Sequence, residues 1–204
     1  MKTTSILSVV LATALLGITV TPASAEDNYA NYVMLKGGIY SPSNSYDLQN
    51  YNNGSRTSLD SETGFAGEVA AGRYFLPNFA IEMEAGYFAS KGSAAAGSGD
   101  AKLQVVPLVA TGKILIPIGQ FEPYGLWGIG AYIAKLEVDG NTSSSGDSTE
   151  IVFGFHAGVG CSYNFKENMF AGLEVKYLWA EPSFDGQDVN LDGFITTANI
   201  GFRY

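Results

Sequence analysis

The chain holds one cysteine, one histidine and two tryptophans in 204 residues. A single cysteine in one chain excludes an internal disulfide, so a covalent staple plays no part in stability. Basic residues are scarce as well: 11 Lys and Arg stand against 20 Asp and Glu, a formal net charge of −9. That balance argues against a nucleic-acid partner. Long apolar runs occur only at the start, within "ILSVVLATALLGITV" (6–20). This run is too short for a spanning helix, which needs about 20 apolar residues. Lys2 precedes it and Ala23-Ser24-Ala25 follow, the layout of a secretory signal peptide. Residues 1–25 are expected to be cleaved, leaving 26–204 as one exported domain. No later segment can cross a membrane as a helix; strands are not excluded.

What is present is alternation. In "IVFGFHAGVGCSYNF" (151–165) the odd positions carry Ile151, Phe153, Phe155, Val159, Cys161, Tyr163 and Phe165. The even positions carry Val152, Gly154, His156, Gly158, Gly160, Ser162 and Asn164. Side chains of a strand alternate between faces, so His156 and Cys161 point opposite ways, about 17 Å apart at about 3.3 Å per residue. They cannot act as base and nucleophile. Cys161 reads as a small apolar surface residue, and His156 as a satisfied interior group.

The same texture recurs in "NYVMLKGGIY" (31–40), "GFAGEVAAGRYF" (64–75), "FAIEMEAGYFA" (79–89), "KLQVVPLVATGKILI" (102–116), "PYGLWGIGAYIAKLE" (123–137), "MFAGLEVKYLWAE" (169–181) and "GFITTANIGFRY" (193–204). Eight segments of this length suit tilted transmembrane strands of about 9–11 residues. Three connections are tight (76–78, 117–122, 166–168). Four are long and rich in Ser, Asn, Asp and Gly (41–63, 90–101, 138–149, 182–192). Short turns on one side and long loops on the other are the asymmetry of an outer-membrane barrel. Aromatics near strand ends, such as Tyr74, Phe75, Phe79, Tyr124 and Trp179, fit the girdles at a lipid–water boundary. A soluble, secreted lipocalin-like binder shares the alternation but not this combination of features.

"AAGRYFLPNFAIEMEAGY" (70–87), "PYGLWGIGAY" (123–132) and the closing "LDGFITTANIGFRY" (191–204) resemble the outer-membrane β-barrel protein family, in its small eight-stranded group of opacity-type and porin-like surface proteins. The resemblance implies an all-β, eight-stranded antiparallel up-and-down barrel with four long extracellular loops and three short periplasmic turns. It places the chain in the outer membrane of a Gram-negative-type bacterium, among membrane lipid and lipopolysaccharide, as a monomer. It also implies that the barrel-assembly machinery reads the last strand, with Ala198, Ile200, Phe202 and Tyr204 as the signal. Tyr204 stands where phenylalanine is commoner.

The inward face carries charge: Glu68, Glu82, Glu84 and Glu174 against Lys36, Lys176 and Arg203. A structural ion network in a filled lumen is the expectation, since opposite charges are available and no nucleophile–base pair exists. Arg73 is outward by parity, positioned to snorkel near the periplasmic rim. A barrel deacylase would want a serine two residues after the histidine; Gly158 stands there. "DVNLDG" (188–193) opens like a calcium loop, with Asp188, Asn190 and Asp192 at alternate positions, but the twelfth position is Asn199 rather than a bidentate Glu. A polar turn is the stronger reading, and no cofactor is expected. The surface ligand is unnamed; the candidate contact surfaces are the first loop and the acidic fourth loop (Glu181, Asp185, Asp188, Asp192). The function expected is non-enzymatic, structural or recognition through the loops. The alternative is a small pore or transporter for an ionic or apolar solute.

Overall fold

The computed structural model describes residues 31–43, 46–49, 56–94, 100–139, 148–180, 183–184, 187–188 and 191–204. The leader, Glu181, Asp185 and Asn190 lie outside the described residues, as does the Asp188 side chain. Twelve strands appear among them: β1 (Asn31–Pro42), β2 (Tyr46–Gln49), β3 (Arg56–Ser61), β4 (Gly64–Leu76), β5 (Phe79–Ala94), β6 (Asp100–Leu115), β7 (Phe121–Asp139), β8 (Ser148–Lys166), β9 (Met169–Trp179), β10 (Ser183–Phe184), β11 (Gln187–Asp188) and β12 (Gly193–Arg203). Eight of them close a ring, β5-β4-β1-β12-β9-β8-β7-β6, sealed by the β5–β6 pairing. Every ladder is antiparallel, and the first and last strands pair from Tyr32↔Arg203 to Pro42↔Gly193. Closure satisfies backbone groups that hydrocarbon could not.

Two-residue periodicity governs burial throughout. β12 alternates buried and exposed without a break, with Ile200 and Phe202 outward and Asn199 and Arg203 inward. On β8, Phe153 is 82% exposed, whereas His156 is 2% exposed. Apolar residues therefore face out and charged ones face in, the reverse of a soluble sandwich.

The turn end is tight. Pro77–Asn78 joins β4 to β5, and Glu167–Asn168 joins β8 to β9, each beside a register shift. Between β6 and β7, Gly119 adopts φ +63°, a conformation that glycine enters freely. At the loop end the ladders run further than the sequence segments. β5 continues to Ala94, β7 to Asp139, and β8 begins at Ser148. The first long connection contains the β2–β3 hairpin, whose β3 pairs onto the extension of β5, and the fourth contains the β10–β11 pair. Apolar alternation marks only the lipid-facing length of a strand. Backbone pairing continues beyond it through residues such as Ser93 and Asp100, which carry no hydropathy signal.

Candidate functional site: a layered lumen

Inward residues of the eight strands stack in layers. At the turn end, Arg203 Nη2 contacts Glu122 Oε1 at 3.2 Å and also donates to the Tyr74 hydroxyl. Its Nη1 donates to Asn164 Oδ1 at 2.7 Å, and its guanidinium lies 4.6 Å from the centroid of the Phe170 ring. Above this comes an apolar layer of Tyr32, Met34, Ala70, Leu115, Leu126 and Phe170. Tyr32 and Phe170 meet edge to face.

The third layer holds the charges. Lys36 Nζ, on β1, reaches Glu174 Oε1 at 2.9 Å, Glu84 Oε2 at 3.1 Å and Glu82 Oε2 at 3.4 Å. Lys176, on β9, reaches Glu68 at 2.8 Å and Glu84 at 3.0 Å. Lys113, on β6, reaches Glu82 at 2.6 Å and Glu174 at 3.2 Å, and its ammonium stands over the Tyr124 ring. Tyr32 and Tyr124 donate to Glu82 and Glu174, and Thr111 donates to Glu84. All these side chains are at most 3% exposed where they form ion pairs. Each charge thus has an opposite partner, Glu68 through Lys176 alone and the others through two or more groups, which is what burial of charge requires.

Glu68, Glu84 and Glu174 offer oxygens within 4.8 Å of one another, the one acidic cluster of metal-binding shape among the described residues. The Lys176 ammonium lies at 2.8, 3.0 and 3.9 Å from these three carboxylates, so a tethered cation already occupies the position an ion would take.

His156 sits on the loop side of the charges. Thr111 Oγ1 lies 3.0 Å from Nε2 and the Tyr132 hydroxyl 3.3 Å from Nδ1, so both ring nitrogens have partners. A Cβ at Gly128, its register partner, would meet the ring at 2.5 Å. Glycine is therefore required there for room. Cys161 is exposed on the opposite face. The last layer is apolar: Tyr40, Phe88, Leu103, Val105, Leu178 and Leu191 are each at most 1% exposed. Leu191 arrives from the fourth connection, and its carbonyl accepts from the Tyr40 hydroxyl at 2.7 Å.

Of the seven expected network residues, six meet in one cluster: Lys36, Glu68, Glu82, Glu84, Glu174 and Lys176. Arg203 does not join them. It binds Glu122 at the turn end, because β12 carries it a full layer below Asn199. Two members were missed. Lys113 sits in a segment apolar on both faces, where parity is silent, and Glu122 falls where the sequence shows a turn. Asp192 takes a capping role: its Oδ1 accepts from the Ala180 N–H at 3.1 Å.

A family model described as "Outer membrane protein beta-barrel domain" matches residues 10–204. Among solved structures, the outer membrane protein OprG from Pseudomonas aeruginosa is similar, with 17% identity, TM-score 0.59, and coverage of 86% of this chain and 97% of that one. Neisserial surface protein A gives 17% identity, TM-score 0.53, and coverage of 87% and 98%. The outer membrane protease OmpT from Escherichia coli gives 12% identity, TM-score 0.52, and coverage of 92% and 100%. At these identities the likeness carries the fold alone. No curated protein matches by sequence.

Proposed function

The chain belongs to the outer membrane protein β-barrel domain family, and from that premise we propose a closed, non-enzymatic barrel that serves a structural or recognition role through its extracellular loops. Its location is the outer membrane of a Gram-negative cell. The observation that carries the proposal is the stack of layers across the lumen. Two apolar layers flank a fully paired charge layer, and an eight-stranded barrel has an interior just wide enough for side chains to fill. His156, the one candidate base of its type, is held by two hydroxyl groups, and the nearer one, on buried Thr111, gives its proton to Glu84 rather than to the ring. The likeness to the protease, at 12% identity, carries the fold alone.

Planar bilayers test this reading. Purified protein, refolded in detergent and reconstituted, is expected to give no sustained conductance. Steady channels whose cation selectivity changes with E82Q/E84Q would replace the closed lumen with the pore reading. The proposed membership also includes cleavage after Ala25, insertion by the barrel-assembly machinery and a monomeric state. Intact mass of the outer-membrane form, expected to begin at Glu26, checks the first of these.

A further inference from the structure

On the outer surface, Lys91 of β5 and Lys102 of β6 stand directly opposite each other in the antiparallel ladder. Both are exposed, and neither forms an ion pair among the described residues. Like charges in directly opposed positions have Cβ atoms about 4.5–5.5 Å apart and destabilise a sheet. Their height along the barrel gives the pair a purpose. The outward column of β5 runs Ile81, Met83, Ala85, Tyr87, Ala89 and then Lys91; that of β6 runs Ile114 back through Leu108 and Val106 to Gln104 and Lys102. The Tyr87 hydroxyl donates to Gln104 Oε1 at 3.2 Å, which marks the change from apolar to polar surface. On the next strand, the outward column of Trp127, Ile129, Ala131 and Ile133 ends at Lys135, the register partner of Gln104. Three strands thus reach lysine at the loop end of the lipid-facing band, where headgroups lie.

Acidic residues flank the pair without separating it. The Glu62 N–H donates to the Lys91 carbonyl on one side, and Glu137 is the register partner of Lys102 on the other. The two lysines are register partners at the middle of the row. A group with two or more anionic oxygens can accept from both at once, and such charge-assisted bonds are the strong ones.

We propose that Lys91 and Lys102 clamp a phosphate of lipid A in the outer leaflet. The occupant is a lipid phosphate rather than a free one because the pair abuts the apolar band that acyl chains cover. The site is on the outside of the wall, so it stands whether or not the lumen conducts.

The test measures lipid binding to the refolded protein in detergent by native mass spectrometry. The probes are bisphosphorylated lipid A, the same lipid after phosphatase treatment, and inorganic phosphate. The unmodified protein is expected to retain bisphosphorylated lipid A, and K91Q/K102Q to bind it roughly 10- to 30-fold more weakly, the scale of two lysines beside an anionic surface. K91R/K102R, which keeps both charges, should retain binding, and heat-modifiable migration on gels verifies that each variant is folded. Equal retention of dephosphorylated lipid, or unchanged binding by folded K91Q/K102Q, overturns the clamp. Occupancy by inorganic phosphate that lipid A does not displace overturns the lipid source.

Discussion

Lys36 makes ion pairs to Glu174, Glu84 and Glu82 from a fully buried position, so its removal takes one counter-charge from three carboxylates at once and leaves four carboxylates to two ammonium groups. Breaking a buried ionic group by deleting one partner costs about 3–5 kcal/mol, since the charge left behind has no solvent. Lys36→Met should lower unfolding stability by that order in urea titrations in detergent, while Arg73→Met, on an exposed outward position, should change it little. Thr197 makes the opposite case. Its hydroxyl is buried and has no hydrogen-bond partner among the described residues. Thr197→Val keeps the branched shape and removes the unsatisfied group, so a gain of about 1 kcal/mol is expected in the same titration. Lys36, Glu82, Glu84 and Glu174 could be placed from sequence because each alternates with outward apolar neighbours. Lys113 could not: Ile114 and Leu115 beside it leave both faces of β6 apolar there.

Pro107 lies within β6, and its effect on the wall is local. The β5–β6 ladder holds Ala85↔Leu108 and Phe88↔Val105 in one register, but the intervening partners, Gly86 with Pro107 and Tyr87 with Val106, are absent. Proline has no N–H, so the Gly86 carbonyl lacks the donor this register would supply. On its other side Pro107 pairs normally with Tyr132. A proline inside an apparent central strand argues against the strand from sequence alone; continuous pairing above and below overrides it. Pro107→Val restores the donor to the Gly86 carbonyl and should slow amide hydrogen exchange at Gly86, the other half of that pair. Unchanged exchange there would mean that the gap has another cause. The loop hairpins β2–β3 and β10–β11 had no alternating signal to announce them, because strands outside the lipid need no apolar face. The last strand is the contrary case, legible to its end. Its final residues pair with β1 through Tyr32↔Arg203 and Val33↔Phe202, and the Tyr204 N–H donates to the Asn31 carbonyl. Deleting Phe202–Tyr204 removes that seam, the Arg203–Glu122 contact and the proposed assembly signal together. Outer-membrane levels of the truncated protein should fall sharply, and normal levels would refute the role given to this strand.

Seen along its axis, the barrel carries inward side chains in successive layers, which on the proposed closed-lumen reading are seals in series rather than one plug. The Arg203–Glu122 pair and the Tyr74 hydroxyl lie at the turn end; the apolar layer around Tyr32 and Phe170, the ion layer and the apolar layer under Leu191 follow in order. Moving a hydrated ion past an apolar layer exposes it to a strong desolvation penalty, whatever the state of the layer beneath. Opening one seal therefore does not open the path. E122Q/R203Q removes both charges of the turn-end pair and the cation–π contact to Phe170, and leaves every side chain of the three layers beyond in place. The central cluster, with four carboxylates against three ammonium groups, keeps its own contacts in that variant. In planar bilayers E122Q/R203Q should stay as silent as the unmodified protein. Adding Y32A and F170A strips the next layer, yet current should still be absent because the ion layer and the Leu191 layer remain. Steady conductance already in E122Q/R203Q would show that the turn-end pair is the sole seal and that the upper layers open and close freely.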